Sequence, residues 1–106
     1  GLADARFFER MKPGTLLINV ARGSLVDEQA LLDGLQRQQP AHAVLDVFQT
    51  EPLPTVSPLW SHPQVTVTAH TSNAGSGTRN RGDELFLSNL ERFLSGRRLL
   101  DEVESL

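Results

Sequence analysis

Three residues of this chain have side chains suited to acid–base work on a small anion: Arg22, Glu51 and His70. Arginine presents a planar fork of donors that matches a carboxylate. Histidine, with an ordinary pKa of about 6.5, exchanges protons near neutral pH. A carboxylate beside it stabilises the imidazolium form. Together they could grip a small carboxylic acid and move a proton on or off a neighbouring oxygen. They lie 29 and 19 positions apart (22 to 51, 51 to 70), so the fold must bring them together.

The elements around them suggest how. Arg22 follows "TLLINV" (residues 15–20), a short apolar run that reads as a buried strand. "AHAVLDVF" (residues 41–48) is a second run of strand length, passing Asp46 and leading within a few residues to Glu51. "QVTVTAH" (residues 64–70) alternates β-branched and polar residues as a third strand, ending at His70. Between the first two strands, Asp27 is a good N-cap for a helix through Ala30, Leu31 and Leu35. A strand–helix–strand unit implies parallel pairing, with a sheet covered on both faces. In an open parallel sheet, ligands bind outside the carboxyl ends of the strands. That edge is where the arginine, the carboxylate and the histidine would fall.

The remaining segments complete the pattern. Leu2, Ala5, Phe8 and Met11, with Phe7 beside them, have near-helical spacing, closed by the turn residues Lys12, Pro13 and Gly14. Residues 49–63 carry four prolines and read as an extended loop. A long helix is predicted from about Gly77 or Thr78 to Ser95, with Leu85, Phe86, Leu90, Phe93 and Leu94 on its apolar face and Gly96 as its stop. The tail from Arg97 onward has no assigned element. Three strands and three helices make half of a doubly wound domain, and the other half is expected upstream because the chain opens on a helix.

Each singled-out residue also has a plainer reading. Arg22 alone is a solvated strand end, Glu51 a surface loop residue and His70 a structural histidine. His42 and His62 keep that plainer reading, and Asp27 is a cap. "GSGT" (residues 75–78) is a helix entry rather than a phosphate loop. "RGD" (residues 81–83) falls at the start of a helix and carries no adhesion reading.

Composition narrows the classes. The chain has 106 residues, one domain or part of a larger one, and a thin stability margin for its size. Its net charge is −3, with scattered lysines and arginines, which argues against nucleic acid. It has no apolar span of membrane length, no signal-peptide pattern at its start, and no cysteine for a disulfide or Cys-based metal site. A cytoplasmic location is compatible with these features, and no metal is expected.

Three stretches, "LLINVARGSLVDEQALLDGL", "AVLDVFQTEPLPTVSPLW" and "VTVTAHTSN", resemble the closing signatures of the D-isomer-specific 2-hydroxyacid dehydrogenases, in the family's order and spacing. "EPLP…SPLW" is most similar to the glyoxylate/hydroxypyruvate reductase branch. The resemblance runs from Leu2 through the last helix. It implies an α/β chain: the C-terminal half of a Rossmann-type NAD(P)-binding sheet over residues 1–106, or the last third of such an enzyme.

The resemblance also implies roles. Arg22 would grip the substrate carboxylate and carbonyl, His70 would be the general acid/base, and Glu51 its partner. Asp46 would contact the nicotinamide carboxamide, with Ala21 and Ser72 against the same ring. The cofactor would be NAD or NADP and the substrate a small 2-keto or D-2-hydroxy acid. The parent would be a homodimer, whereas the isolated chain would be inactive and would self-associate through uncovered apolar surface. Two departures stand out. Ala69 precedes His70 where the family usually has proline, and no G-x-G-x-x-G turn is present. A second reading is non-catalytic: a dinucleotide-sensing corepressor-like protein or a dimerisation module.

Overall fold

A computed structural model describes residues 1–103. The chain divides into two compact units, Gly1–Ser72 and the residues from Asn73 onward.

The first unit holds a three-stranded parallel sheet of order β1-β2-β3, with β1 at Leu16–Asn19, β2 at His42–Leu45 and β3 at Val65–Val67. Helix α1 is Ala5–Glu9, and α2, Glu28–Gln36, crosses from β1 to β2. The predicted N-cap is present: the Asp27 carboxylate accepts from the Ala30 N–H at 3.0 Å. Asp4 caps α1 in the same way, accepting from Phe7 N–H at 2.9 Å, so α1 begins after Leu2, which is exposed. The loop of residues 49–63 is irregular as expected, except for one 3-10 turn at Pro58–Trp60.

Parallel register puts Leu17, Ala43, Leu45, Val65 and Val67 on one face. They join Phe8 of α1 and Ala30, Leu31 and Leu35 of α2 in a single apolar core. The opposite face corrects the expectation of a strand buried on both sides. Leu16 and Ile18 are 53% and 58% exposed. The side-chain period of two sends them away from the face on which both helices lie. A second correction concerns β3. It stops at Val67, and the chain then leaves the ladder, so His70 stands three residues past the strand with φ +52°.

In the second unit, α3 spans Thr78–Leu94 and enters through Gly77 at φ +80°. None of its residues is buried, so the predicted apolar stripe is exposed. The tail turns back along this helix: Asn89 accepts from the Leu100 N–H at 2.7 Å and donates to its carbonyl. Residues 104–106, the end of the tail left without an element, lie outside the described residues.

The two sets of apolar side chains should respond differently to truncation. Leu31→Ala, at a fully buried position, should cost about 2–5 kcal/mol in urea unfolding, whereas Phe86→Ala should stay within about 0.5 kcal/mol. Equal costs at the two positions would contradict this core.

Candidate active site

The ends of β1 and β2 carry the two buried polar side chains among the described residues, Asn19 (6% exposed) and Asp46 (2%). Sheet hydrogen bonding continues one step past the strands, Asp46 N–H to Asn19 C=O at 3.0 Å and Thr68 N–H to Leu45 C=O at 2.9 Å. The loops that bear Arg22, Glu51 and His70 leave from this line.

Asp46 organises the loop after β3. Its carboxylate accepts from the Thr68 hydroxyl, from the Thr71 N–H at 3.1 Å and from the Ser72 N–H at 2.8 Å. The left-handed backbone at His70 turns two successive N–H groups toward one anion, a nest whose anion is internal. The Thr68 hydroxyl, followed by the Ser72 and Thr71 N–H groups, holds the Asp46 carboxyl well below the usual carboxylate range.

Glu51 lies between two loops. One oxygen accepts from the Phe48 N–H at 3.0 Å, and the other meets His70 Nδ1 at 2.7 Å. The His70 bond first, then the Phe48 N–H, lower the Glu51 pKa, and the charges of His70 and Arg22 act in the same direction. Both side chains are accessible, His70 at 49% and Glu51 at 36%. Beside them Phe48, Pro52, Leu53, Trp60, Thr68 and Ala69 complete a cleft of about 460 Å³.

Arg22 stands in extended backbone at the end of β1, exposed, with one guanidinium nitrogen on the Ala21 carbonyl at 2.7 Å. Its turn is held by Asn19, which accepts from Ala21 N–H at 3.2 Å and donates to the Arg22 carbonyl at 3.0 Å. The fold thus pairs Glu51 with His70 by direct hydrogen bond and brings Arg22 within electrostatic reach. Ala21 is exposed at the same edge, and Ser72 makes a long 3.5 Å contact to the Val20 carbonyl.

Gly23 lies at a close approach of two backbone segments. A Cβ there would lie 1.9 Å from the Phe48 carbonyl oxygen, so the glycine lets the Arg22 turn pack against the segment leading to Glu51.

Sequence reasoning missed Asn19 and Thr68. For Asn19 the signal is a lone amide inside an apolar run. Thr68 carries no such mark, because polar residues alternate through β3. Among the described residues no group of acidic, histidine or cysteine side chains could hold a metal ion, and no helix is long and apolar enough to cross a membrane.

An open three-stranded parallel sheet flanked by helices, with a histidine–carboxylate pair at its carboxyl edge, defines an α/β architecture of the dinucleotide-domain class. Residues 1–72 match the family model of the D-isomer specific 2-hydroxyacid dehydrogenase NAD binding domain, and the chain belongs to that family.

Glyoxylate/hydroxypyruvate reductase A of Serratia proteamaculans is 49% identical over 70 residues, 66% of this chain and 22% of the relative. A D-isomer specific 2-hydroxyacid dehydrogenase from Xanthobacter autotrophicus Py2, solved with NADPH and MES, superposes with TM-score 0.83 at 38% identity, covering 98% of this chain and 42% of that one. The NADPH-dependent glyoxylate/hydroxypyruvate reductase of Sinorhizobium meliloti, solved with NADP and sulfate, gives TM-score 0.79 at 30% identity over 98% of this chain and 34% of that one. The chain therefore spans less than half the length of these relatives.

The Glu51 shift has a definite sign. Its folded pKa lies below the unfolded value, so the pair stabilises the fold above the ordinary glutamate value near 4.5 and loses that contribution as pH falls through the folded value. Glu51→Gln should therefore lower the urea midpoint at about pH 7, and the gap from the parent chain should narrow as pH falls below the ordinary glutamate value near 4.5. A gap independent of pH would rule out the ionic pair. Gly23→Ala should destabilise by more than about 2 kcal/mol in the same assay, because backbone must move.

Proposed function

We propose that this chain is the catalytic-edge portion of an oxidoreductase that transfers a hydride between NAD(P)H and a small 2-keto or D-2-hydroxy acid, such as glyoxylate or hydroxypyruvate. The observation that carries the reading is the 2.7 Å His70–Glu51 pair at the carboxyl edge of a parallel sheet, with the Arg22 charge acting on Glu51.

The residues fit the nicotinamide end of such a cofactor. Ala21, His70 and Ser72 are exposed at one sheet edge, and Asp46 lies directly beneath the Ser72 amide. Ala21, Arg22, His70 and Ser72 would form that wall, with the buried Asp46 behind it. When bound, the cofactor supplies or accepts the hydride. The protein's share is charge and orientation. Arg22 binds the substrate carboxylate through its forked donors. Nε2 of His70, the ring nitrogen not engaged by Glu51, delivers a proton to the carbonyl oxygen in reduction and removes it in oxidation. Glu51 fixes the ring and stabilises its protonated form. No G-x-G-x-x-G turn lies in these 106 residues, so a pyrophosphate has no cradle here. The parent enzyme is read as a cytoplasmic homodimer, with residues 1–106 as part of its NAD(P)-binding domain.

Support for the reductase branch comes from the two glyoxylate/hydroxypyruvate reductases to which the chain is similar. In the parent enzyme, His70→Ala and Arg22→Ala should each lower glyoxylate turnover with NADPH by about 100- to 10,000-fold. Unchanged turnover in either variant would overturn the assignment and favour a dinucleotide-sensing or dimerisation role. The isolated chain should show no NADPH oxidation and should sediment as an associated species at micromolar concentration, given the exposed Leu16, Ile18 and Val20; a clean monomer would contradict the association.

A further inference from the structure

The two buried polar side chains among the described residues occupy equivalent places. Each lies at the carboxyl end of a sheet strand, and each is hydrogen-bonded to the loop that carries one of the reactive residues. Burying an amide or a carboxylate is costly unless its partners are supplied. Here the partners are the backbone groups flanking Arg22 and His70, together with one hydroxyl, that of Thr68.

We propose that Asn19 and Thr68 are positioning residues: Asn19 sets the Arg22 turn directly, and Thr68 sets His70 by orienting the buried Asp46 carboxylate beneath its loop. The catalytic meaning of this rests on the function proposed above, whereas the geometric claim does not.

The reasoning for Thr68 starts from the backbone. A non-glycine residue at φ +52° is disfavoured, and something must hold it there. The Thr71 and Ser72 N–H bonds to Asp46 do so, because releasing either lets His70 relax toward negative φ. Asp46 can serve both amides only if its carboxylate plane stays fixed. One oxygen takes the Thr71 N–H and the Thr68 hydroxyl together, and the other takes the Ser72 N–H. Thr68 is thus the side chain that locks the rotation of the carboxylate. Its own N–H is tied to Leu45, so the lock is anchored in the sheet.

For Asn19, the side-chain oxygen bonds two residues ahead and the nitrogen three ahead. This closes the turn around Ala21 and fixes the backbone that carries Arg22. Neither Asn19 nor Thr68 need touch substrate to act.

The test uses the 106-residue chain itself. By amide hydrogen exchange, Ala21, Thr71 and Ser72 N–H should be protected by on the order of tenfold or more over unstructured amides. Exchange at the unstructured rate in the unaltered chain would overturn the proposal without any variant. Thr68→Val should abolish protection at Thr71 and Ser72 while leaving the sheet amides of Ala43 and Asp46 protected. It should also move the Glu51 carboxyl midpoint, followed by carbon NMR, back up toward the ordinary glutamate value as His70 leaves it.

Thr68→Ser should restore both readouts, which a purely structural role for the methyl group would not predict. Asn19→Ala should release the Ala21 amide, and Asn19→Asp, which keeps the acceptor, should retain it. A Thr68→Val chain with unchanged Thr71 and Ser72 protection and an unchanged Glu51 midpoint would overturn the proposal. In the parent enzyme, Thr68→Val should fall mainly on kcat and Asn19→Ala mainly on KM for the keto acid. If the parent turned over no 2-keto acid at all, the exchange and titration results would still stand, so the two ideas fail separately.

Discussion

The buried carboxylate of Asp46 is the constraint on which the rest of the site depends. It stands at the end of the central strand, with its backbone N–H on Asn19 and its side chain collecting a hydroxyl and two amides from the loop after β3. A charge placed there without those donors would be expensive. With them it is an internal anion around which the chain folds, and the left-handed conformation of His70 is the geometric consequence. Glu51 then meets the histidine from the other side, itself oriented by the Phe48 N–H.

The scaffold beneath is built from ordinary forces. Parallel register sets one strand face against α1 and α2, and the core of Phe8, Leu31, Leu35, Ala43 and Leu45 closes between them. The crossover from β1 to β2 leaves Gly23 so close to the Phe48 carbonyl that no side chain fits. Helix packing and sheet pairing therefore bring the Arg22 turn against the segment that leads to Glu51. The other sheet face and the stripe of α3 remain apolar and exposed, which agrees with a chain that spans less than half of its relatives' length.

Much of this was legible in the residues. Asp27 announced the start of α2, Gly96 the end of α3, and the apolar runs the three strands in their order. The candidate trio could be assembled from one rule, that ligands gather at strand carboxyl ends. The legibility stopped where local pattern and tertiary demand differ. Residues 64–70 alternate as a strand throughout, yet only Val65–Val67 is one, because the Asp46 carboxylate draws the following amides out of the ladder. The apolar run of β1 likewise looked buried on both sides, though a run of that kind cannot say which of its faces has a partner.

By itself, then, the sequence determined the order of elements and their parallel connection, and it pointed to Arg22, Glu51 and His70 as candidates, since these follow from periodicity, capping and residue chemistry over short spans. Only the tertiary structure decided which strand face is covered, why Gly23 must lack a side chain, and how Asn19 and Thr68 enter the site. Those outcomes depend on hydrogen bonds and close approaches between distant segments, such as the Ser72 amide on Asp46, 26 residues away, where side-chain direction rather than residue type settles the contact.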